Sequence, residues 1–284
     1  LTMDPRVRGS LHHDVLAEFF GRYIGRDPQA AWGDEHKAEI ESIARQHLDR
    51  LERDGLCGPA LLWEDESAAV IAYLQRFLDY DSIYRLQNGA VPQLLEADFG
   101  TNPVVSIKCE GKEVRFRGRP DRVDSSPGGS AAFVIDYKTG SPQGTVRERS
   151  SDPFLKGCSL QLPVYACAAR EMLPDTTQAS ARYLHLLQDK DVEQVEIAMT
   201  PDKVFRFEYL LSALVSTIEN GLFPANPGDA SNASSFENCR YCRYDRICPK
   251  DRDKIWQAKS KDPQISRYVA LGEQPETNQE ESEE

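Results

Sequence analysis

An apolar run that ends in charged residues is the feature that most constrains how this chain folds. The segment Phe133–Gly140, with the sequence FVIDYKTG, predicts a strand that is buried until its last residues. Residues two apart in a strand share a face, so Asp136 and Lys138 project to the same side. A buried charge needs a partner, and the segment Gly118–Asp124 supplies candidates just upstream. We expect its Asp121 to end the preceding strand and to lie beside Asp136.

Two carboxylates and an ammonium group that converge at one edge of a sheet can serve a chemical purpose. Carboxylate oxygens bind hard divalent cations, and a lysine beside them can handle a proton or stabilise negative charge. The alternative is structural, because an Asp-x-Lys pattern alone also fits an ion pair that closes a strand. The spacing of the two segments and the glycines that follow them favour the cation site.

Apolar periodicity predicts helices and strands along the whole chain. Three helices come first, over 9–22, 34–53 and 66–78. Four strands follow, over 94–99, 104–108, 114–117 and 132–137. The remaining elements are helices over 159–172 and 200–220, strands over 181–187 and 192–197, and a short helix near Lys254. This order predicts an α/β fold with a mixed central β-sheet flanked by helices and a helical region at the N-terminus.

The charge is distributed unevenly along the chain. A net charge of −12 argues against a nucleic-acid binder. However, the stretch from Lys108 to Arg170 carries eleven bases against seven acids, and local charge is what steers a polyanion. The last twelve residues hold six glutamates and no base, which is typical of a solvated, disordered end.

The sequence predicts neither a membrane protein nor a secreted one. No apolar run approaches the ~20 residues of a membrane span, and the start has no basic end followed by an apolar stretch. Seven cysteines, three of them within ten residues, are typical of a reduced, cytoplasmic protein with one thiolate metal site. The first residue is Leu1 and not Met, so we expect a piece of a longer polypeptide.

The two charged segments resemble the active site of the PD-(D/E)XK nuclease superfamily. The similarity is to the branch that contains the RecB-like and AddB-like nuclease domains of helicase–nuclease complexes. That branch pairs Gly-x-x-Asp-Arg-x-Asp with Asp-Tyr-Lys-Thr-Gly, which correspond to Gly118–Asp124 and Asp136–Gly140 here. Pro120 departs from the apolar residue that is usual before the Asp, but it removes no ligand. The resemblance extends over roughly residues 9–250 and implies a restriction-endonuclease-like core.

The resemblance also implies domain boundaries. Residues 1–232 form the nuclease domain, with a helical region over 1–90 and the catalytic core over 91–200. A cysteine staple over 233–256 follows, and an acidic disordered tail over 265–284 ends the chain.

The resemblance implies roles for individual residues. The ligands of Mg²⁺ or Mn²⁺ are His13, Asp121, Asp136 and the Tyr137 carbonyl. Lys138 stabilises developing charge or orients the attacking water, and Glu96 takes the acidic position ahead of the sheet. Gln161 and Tyr165, which share a face of their helix, position the strand or the water. The arginines expected to contact phosphates are Arg115, Arg117, Arg119 and Arg122.

Simpler interpretations remain open for four of these residues. His13 stands next to His12, and a histidine in such a helix also fits the core or the surface. Glu96 also fits a solvated glutamate. Gln161 and Tyr165 also fit an ordinary amphipathic helix.

A second metal signal lies near the C-terminus, in Cys239-x2-Cys242-x5-Cys248. A zinc ion or an iron–sulfur cluster held by these thiolates needs a fourth ligand. The spacing resembles the staple of AddB-type nucleases, which implies a 4Fe–4S cluster with its fourth cysteine upstream of Leu1, and Zn²⁺ is the alternative. Cys57 does not match the family's position. We expect Cys109, Cys158 and Cys167 to be buried or neutral thiols.

Together the motifs and the resemblance imply a metal-dependent, sequence-nonspecific DNA exonuclease within a helicase–nuclease of DNA repair and recombination. DNA and a helicase subunit or domain are the expected partners. No Gly-x-x-x-x-Gly-Lys-Ser/Thr loop is present, so this chain is not itself the motor. Two alternatives are a non-catalytic DNA-binding or scaffold module that keeps the fold and the metal cluster, and a zinc-binding interaction domain.

Overall fold

The computed structural model describes residues 3–140, 152–186, 192–232, 235–240 and 242–271. Its N-terminal helices are α1 (Pro5–Gly21), α2 (Asp34–Arg53) and α3 (Ala60–Asn88). The Asp4 side chain caps α1 by accepting the Arg6 N–H, and Gly89 ends α3 in the left-handed conformation. The predicted helical region is confirmed, although α3 extends beyond the predicted 66–78 at both ends.

Five strands form the central sheet. The strands of the core region are β1 (Val91–Leu95), β2 (Val105–Cys109), β3 (Lys112–Phe116), β4 (Arg122–Ser125), β5 (Ala131–Lys138), β6 (Gln178–His185) and β7 (Glu193–Ala198). The sheet has the order β1-β4-β5-β6-β7, in which β5 and β6 are parallel and the other neighbours antiparallel. The connection from β5 to β6 contains α4 (Gln161–Met172), and α5 (Pro201–Glu219) follows β7. The predicted mixed sheet flanked by helices is confirmed.

Helices cover both faces of the sheet. Successive residues of β5 point to opposite faces, so Ile135 and Tyr137 pack with α1, α2 and α3, whereas Val134 packs with α4 and α5. Asp136 and Lys138 continue the face of Val134 at the end of the strand. The charged end of β5 therefore lies on the α4 side of the sheet.

Two strand predictions were wrong. β2 and β3 form a separate two-stranded sheet, so they are a hairpin beside the central sheet and not a part of it. β4, which lies between β1 and β5, was not predicted, and Asp121 precedes this strand instead of ending the predicted strand before it. Two of the four residues of β4, Arg122 and Asp124, are charged yet fully buried, which concealed the strand.

The C-terminal part consists of short elements. They are β8 (Ala230–Asn232), β9 (Ser235–Phe236), α6 (Arg252–Lys259) and α7 (Ser266–Ala270). Ile265 and Leu271 on either side of α7 are buried, so the predicted tail does not begin at 265. The rest of that predicted tail, 272–284, lies outside the described residues. No helix in the described part of the chain is long and apolar enough to cross a membrane.

Candidate active site

Parts of the chain that are distant in sequence meet at the end of β5. β4 and β5 are antiparallel, with Arg122 paired to Ile135, so the residue before β4, Asp121, lies beside the last residues of β5. The Tyr137 N–H donates a 2.6 Å hydrogen bond to Asp121 Oδ2. This bond fixes the carboxylate and leaves its second oxygen, Oδ1, facing α1.

His13 reaches the same place from α1. Its Nδ1 lies 3.2 Å from Asp121 Oδ1, and its Nε2 lies 3.1 Å from the Tyr137 carbonyl oxygen. The structure therefore brings together three of the four groups that the sequence analysis assigned to a metal ion, namely His13, Asp121 and the Tyr137 carbonyl.

Glu96 completes this group from the segment that follows β1. Ligand atoms of His13, Glu96 and Asp121 all lie within 4.8 Å of one another. The backbone of Glu96 has a φ of 44°, in the left-handed region that non-glycine residues rarely occupy, and its N–H donates to the Asp121 carbonyl oxygen at 3.0 Å. Such a conformation is typical of functional positions. It also explains why β1 stops at Leu95, short of the predicted end at residue 99.

Asp136 and Lys138 form a second group, centred on Gln161 of α4. Gln161 Nε2 donates to Asp136 Oδ1 at 2.8 Å, and Lys138 Nζ donates to Gln161 Oε1 at 3.3 Å. The Lys138 ammonium also forms an ion pair with Asp136 Oδ2. Gln161 thus holds the carboxylate with its amide nitrogen and the lysine with its amide oxygen, which an ordinary amphipathic helix does not require.

Tyr165 joins this group, and Gly118 makes room for it. Gln161 Nε2 donates to the Tyr165 hydroxyl at 3.1 Å, and that hydroxyl donates to the Arg119 carbonyl at 3.0 Å. A Cβ at Gly118 would lie 2.9 Å from the Phe99 ring and 3.2 Å from the Tyr165 ring. The glycine that opens the first motif is therefore needed for close packing beside the site.

Burial and charge repulsion shape the acidity of the site. Burial raises the pKa of Asp136 to about 6, and the neighbouring charge of Asp121 adds to this rise. Burial and the charge of Asp121 also raise the pKa of Glu96. Burial lowers the pKa of His13, but the hydrogen bond and charge of Asp121 outweigh it, so the pKa is raised overall. The site carries more negative charge than its own residues neutralise.

The structure distinguishes the two adjacent histidines. His12 is buried, with Nδ1 2.7 Å from the Arg8 carbonyl oxygen and its ring edge-on to Tyr73. Burial lowers the pKa of His12 to about 4, so it is a neutral core residue at pH 7. His13 faces the site.

One predicted role is contradicted. Arg122 is fully buried, with Nε and Nη2 each 2.7 Å from an oxygen of Asp124 and Nη1 2.6 Å from Asp81 Oδ1. The prediction that Arg122 contacts phosphates is therefore wrong. Arg115, Arg117 and Arg119 are exposed, as phosphate contacts require.

Tyr183 is a further residue of this group that was not predicted from the sequence. The parallel register of β5 and β6 places it beside Asp136, its hydroxyl donates to Gln161 Oε1 at 3.0 Å, and Lys138 Nζ lies 4.9 Å from its ring centroid. No local motif marks this residue, because its position depends on the pairing of two distant strands.

The three clustered cysteines are not as close together as the ligands of a single ion. Among the described residues, the sulfur atoms of Cys239, Cys242 and Cys248 do not all lie within 4.8 Å of one another. Among the scattered thiols, Cys109 is buried, and burial raises the pKa of Cys167 to about 11. Desolvation also raises the pKa of Cys109 and that of Cys158, whose side chain is only partly covered, so all three thiols favour the neutral form.

Comparison with protein-family models identifies the family. The model described as the PD-(D/E)XK nuclease superfamily matches residues 2–249, which is most of the chain. The chain belongs to the PD-(D/E)XK nuclease superfamily. Members of this superfamily are typically nucleases that use divalent metal ions.

Other comparisons add little to this assignment. No curated protein matches the chain. Among solved structures, the crystal structure of SSO0001 is 18% identical, and the match covers 71% of this chain and 79% of that one with a TM-score of 0.31.

Proposed function

We propose that this PD-(D/E)XK domain is a metal-dependent, sequence-nonspecific DNA exonuclease. The observation that carries the proposal is the contact of His13 and the Tyr137 backbone with the two oxygens of Asp121. These nitrogen and oxygen donors meet at the end of β5. Tyr137, which contributes its backbone, stands between Asp136 and Lys138 in the sequence.

The donor set fits a divalent cation. In an octahedral Mg²⁺ site with bonds of about 2.1 Å, adjacent ligand atoms lie about 3 Å apart. The distance of 3.2 Å from His13 Nδ1 to Asp121 Oδ1 matches that separation. The 3.1 Å contact with the Tyr137 carbonyl oxygen uses the other ring nitrogen, Nε2, and holds the imidazole in place. A cation also compensates the negative charge that raises the pKa of Glu96 and Asp136. We therefore assign Mg²⁺ or Mn²⁺ to His13, Asp121, Asp136 and the Tyr137 carbonyl, with Glu96 beside them.

The other residues of the site have separate roles in the proposed reaction. When bound, the cation lowers the pKa of a water molecule and neutralises charge on the scissile phosphate. Lys138 provides a fixed positive charge for the negative charge that develops in the transition state. Gln161 keeps Lys138 and Asp136 in position, and Tyr165 ties Gln161 to the backbone of Arg119.

The wider setting is also a proposal and rests on the resemblance of the motifs. We propose that the domain is part of an AddB-like or RecB-like helicase–nuclease that acts in cytoplasmic DNA repair and recombination. Its partner would be a helicase subunit or domain. Cys239, Cys242 and Cys248 would hold a 4Fe–4S cluster, or Zn²⁺, with a fourth ligand in addition to these three.

A cleavage assay tests the nuclease. The purified protein is incubated with end-labelled single-stranded DNA with and without Mg²⁺ or Mn²⁺, beside Asp136→Ala and the control Asp79→Ala. Asp79 is an exposed carboxylate on α3 that pairs with Lys37. We expect metal-dependent degradation that Asp136→Ala abolishes and Asp79→Ala retains. A folded protein that binds DNA without cleaving it would instead be the non-catalytic module.

A further inference from the structure

The β2–β3 hairpin presents a face of alternate residues to solvent. On β2, Val105, Ile107 and Cys109 are buried and the residues between them are exposed. Along residues 113–119, every odd-numbered residue is exposed and the even-numbered ones are partly covered. The Phe99–Gly118 bridge keeps the chain extended beyond the end of β3. The exposed face therefore continues from the hairpin to residue 119.

This face is basic although the protein is acidic. Residues 104–119 hold five bases and two acids, against a net charge of −12 for the whole chain. Lys112 and Glu110, near the hairpin turn, form ion pairs with Glu219 and Arg267. The exposed face that remains carries Lys108 and Glu113, which lie opposite each other in the hairpin, and three arginines, Arg115, Arg117 and Arg119.

The three arginines form a row that ends at the candidate active site. Residues two apart in a strand are ~7 Å apart, so the row is ~13 Å long. The backbone carbonyl oxygen of its last member, Arg119, accepts a hydrogen bond from the Tyr165 hydroxyl. Asp121 is two residues further along the chain. A row one side chain wide suits a single phosphate backbone rather than the two strands of a duplex.

The present partners of these arginines can be exchanged. Arg119 pairs with Asp98 at 2.8 Å and Arg115 lies 3.8 Å from Glu113, and all four side chains are largely exposed to solvent. Exposed ion pairs contribute little to stability, so a phosphate can replace the carboxylate at small cost.

We propose that Arg115, Arg117 and Arg119 form the track along which the phosphate backbone of a single-stranded nucleic acid reaches the metal site. The inference rests on the proposed nuclease function and adds the route of its substrate. Contacts of this kind fix the position of the strand and read no sequence. They make binding strongly dependent on salt.

Binding measured without divalent cations tests the track apart from cleavage. Fluorescence anisotropy of a short labelled oligothymidylate gives Kd at several salt concentrations. The variants are Arg115→Ser/Arg117→Ser, which spares the backbone of Arg119, and the triple variant that adds Arg119→Ser. The control removes the same charge from the exposed surface of α2, through Arg45→Ser/Arg50→Ser/Arg53→Ser. Arg→Lys variants at 115 and 117 keep the charge.

We expect the triple track variant to raise Kd at low salt about tenfold or more and the double variant to raise it by less. For single strands each phosphate contact contributes about 0.7 to the slope of log K against log salt, so the triple variant lowers the slope by about 2. The α2 control and the lysine variants stay close to the wild type. A Kd and a slope that match those of the α2 control would overturn the track.

A second readout separates the track from the nuclease. Hydrolysis of bis(4-nitrophenyl) phosphate with Mn²⁺ needs the metal site but no extended strand. We expect the Arg115→Ser/Arg117→Ser variant to keep this activity while its DNA binding weakens. If the wild type hydrolyses neither this compound nor DNA, the nuclease proposal fails, while weakened binding in the variants still supports the track. Loss of the small-substrate activity in the Arg115→Ser/Arg117→Ser variant would show that the hairpin arginines act through the structure of the site.

Discussion

Arg122 and Asp81 form a fully buried ion pair that links β4, the strand directly after Asp121, to α3. The Arg122 Nη1 lies 2.6 Å from Asp81 Oδ1, and the other Asp81 oxygen accepts the Trp32 Nε1–H at 2.7 Å. Arg85, one turn further along α3, also contacts Asp81. The charged residues that follow Asp121 in the motif therefore anchor the site to the helical layer, and they do not touch the substrate.

Removal of one partner from this network is expected to destabilise the protein strongly. Asp81→Ala leaves Arg122 and Arg85 buried with too few acceptors, and breaking a buried pair in this way costs roughly 3–5 kcal/mol. Asp79→Ala, two residues away on the same helix, removes an exposed partner of Lys37 and should cost under about 1 kcal/mol. Urea unfolding measures both values. Similar costs for the two variants would contradict the anchoring role.

The same network explains the two largest errors of the sequence analysis. β4 was missed because Arg122 and Asp124 do not look like residues of a buried strand. The last part of α3 was missed because Asp81 and Arg85 interrupt its apolar pattern. Each position becomes understandable only when its partner on the other element is known. A pattern read along one segment cannot supply that partner.

Where burial follows hydrophobicity, the sequence was sufficient. β5 and α4 lie where their apolar patterns placed them, and the motif residues on them, Asp136, Lys138, Gln161 and Tyr165, converge at one place. Tyr183 was missed because it joins them through the register of two parallel strands. The backbone of Glu96 was also beyond prediction, since a left-handed conformation is not expected of a glutamate.

Glu96 offers a test in which stability and activity should change in opposite directions. Glu96→Gly relieves the left-handed backbone and should stabilise the fold by about 1 kcal/mol. It also removes a carboxylate from beside the metal site, so cleavage should fall. Glu96→Gln keeps the backbone strain and should reduce cleavage without the gain in stability. Thermal unfolding and cleavage rates of the two variants measure these effects. Unchanged cleavage in both variants would show that Glu96 is a solvated side chain that takes no part in the reaction.

Gly118→Ala should disturb the site by packing alone. The added Cβ would meet the Phe99 ring at 2.9 Å and the Tyr165 ring at 3.2 Å, so the Phe99 ring would have to shift and the Tyr165 ring would have to give by a few tenths of an ångström, which strains its bond with Gln161. Overpacking of this kind costs about 1–3 kcal/mol. Gly21→Ala is the control, because its Cβ would make only an ordinary 3.8 Å contact at the end of α1. Unfolding and cleavage assays should show losses for Gly118→Ala only; equal behaviour of the two variants would show that Tyr165 tolerates displacement.

The cysteine staple can be tested by metal removal and alkylation. If Cys239, Cys242 and Cys248 bind a metal centre, iodoacetamide should modify them only after chelation or oxidative loss of that centre, and peptide mass spectrometry counts the sites. Cys167 is an internal control. Because burial raises its pKa to about 11, its thiolate stays scarce at mildly alkaline pH and its alkylation should be slow in both states, rising only as the pH approaches that value.

The nature of the centre follows from the same sample. A brown protein that absorbs near ~400 nm and contains iron indicates an iron–sulfur cluster, whereas a colourless protein with stoichiometric zinc indicates the alternative. Cys242→Ser should lower the metal content, and Cys57→Ser, outside the cluster, should not. Equal alkylation of the three cysteines before and after chelation, in a folded protein without bound metal, would show that their spacing serves no metal.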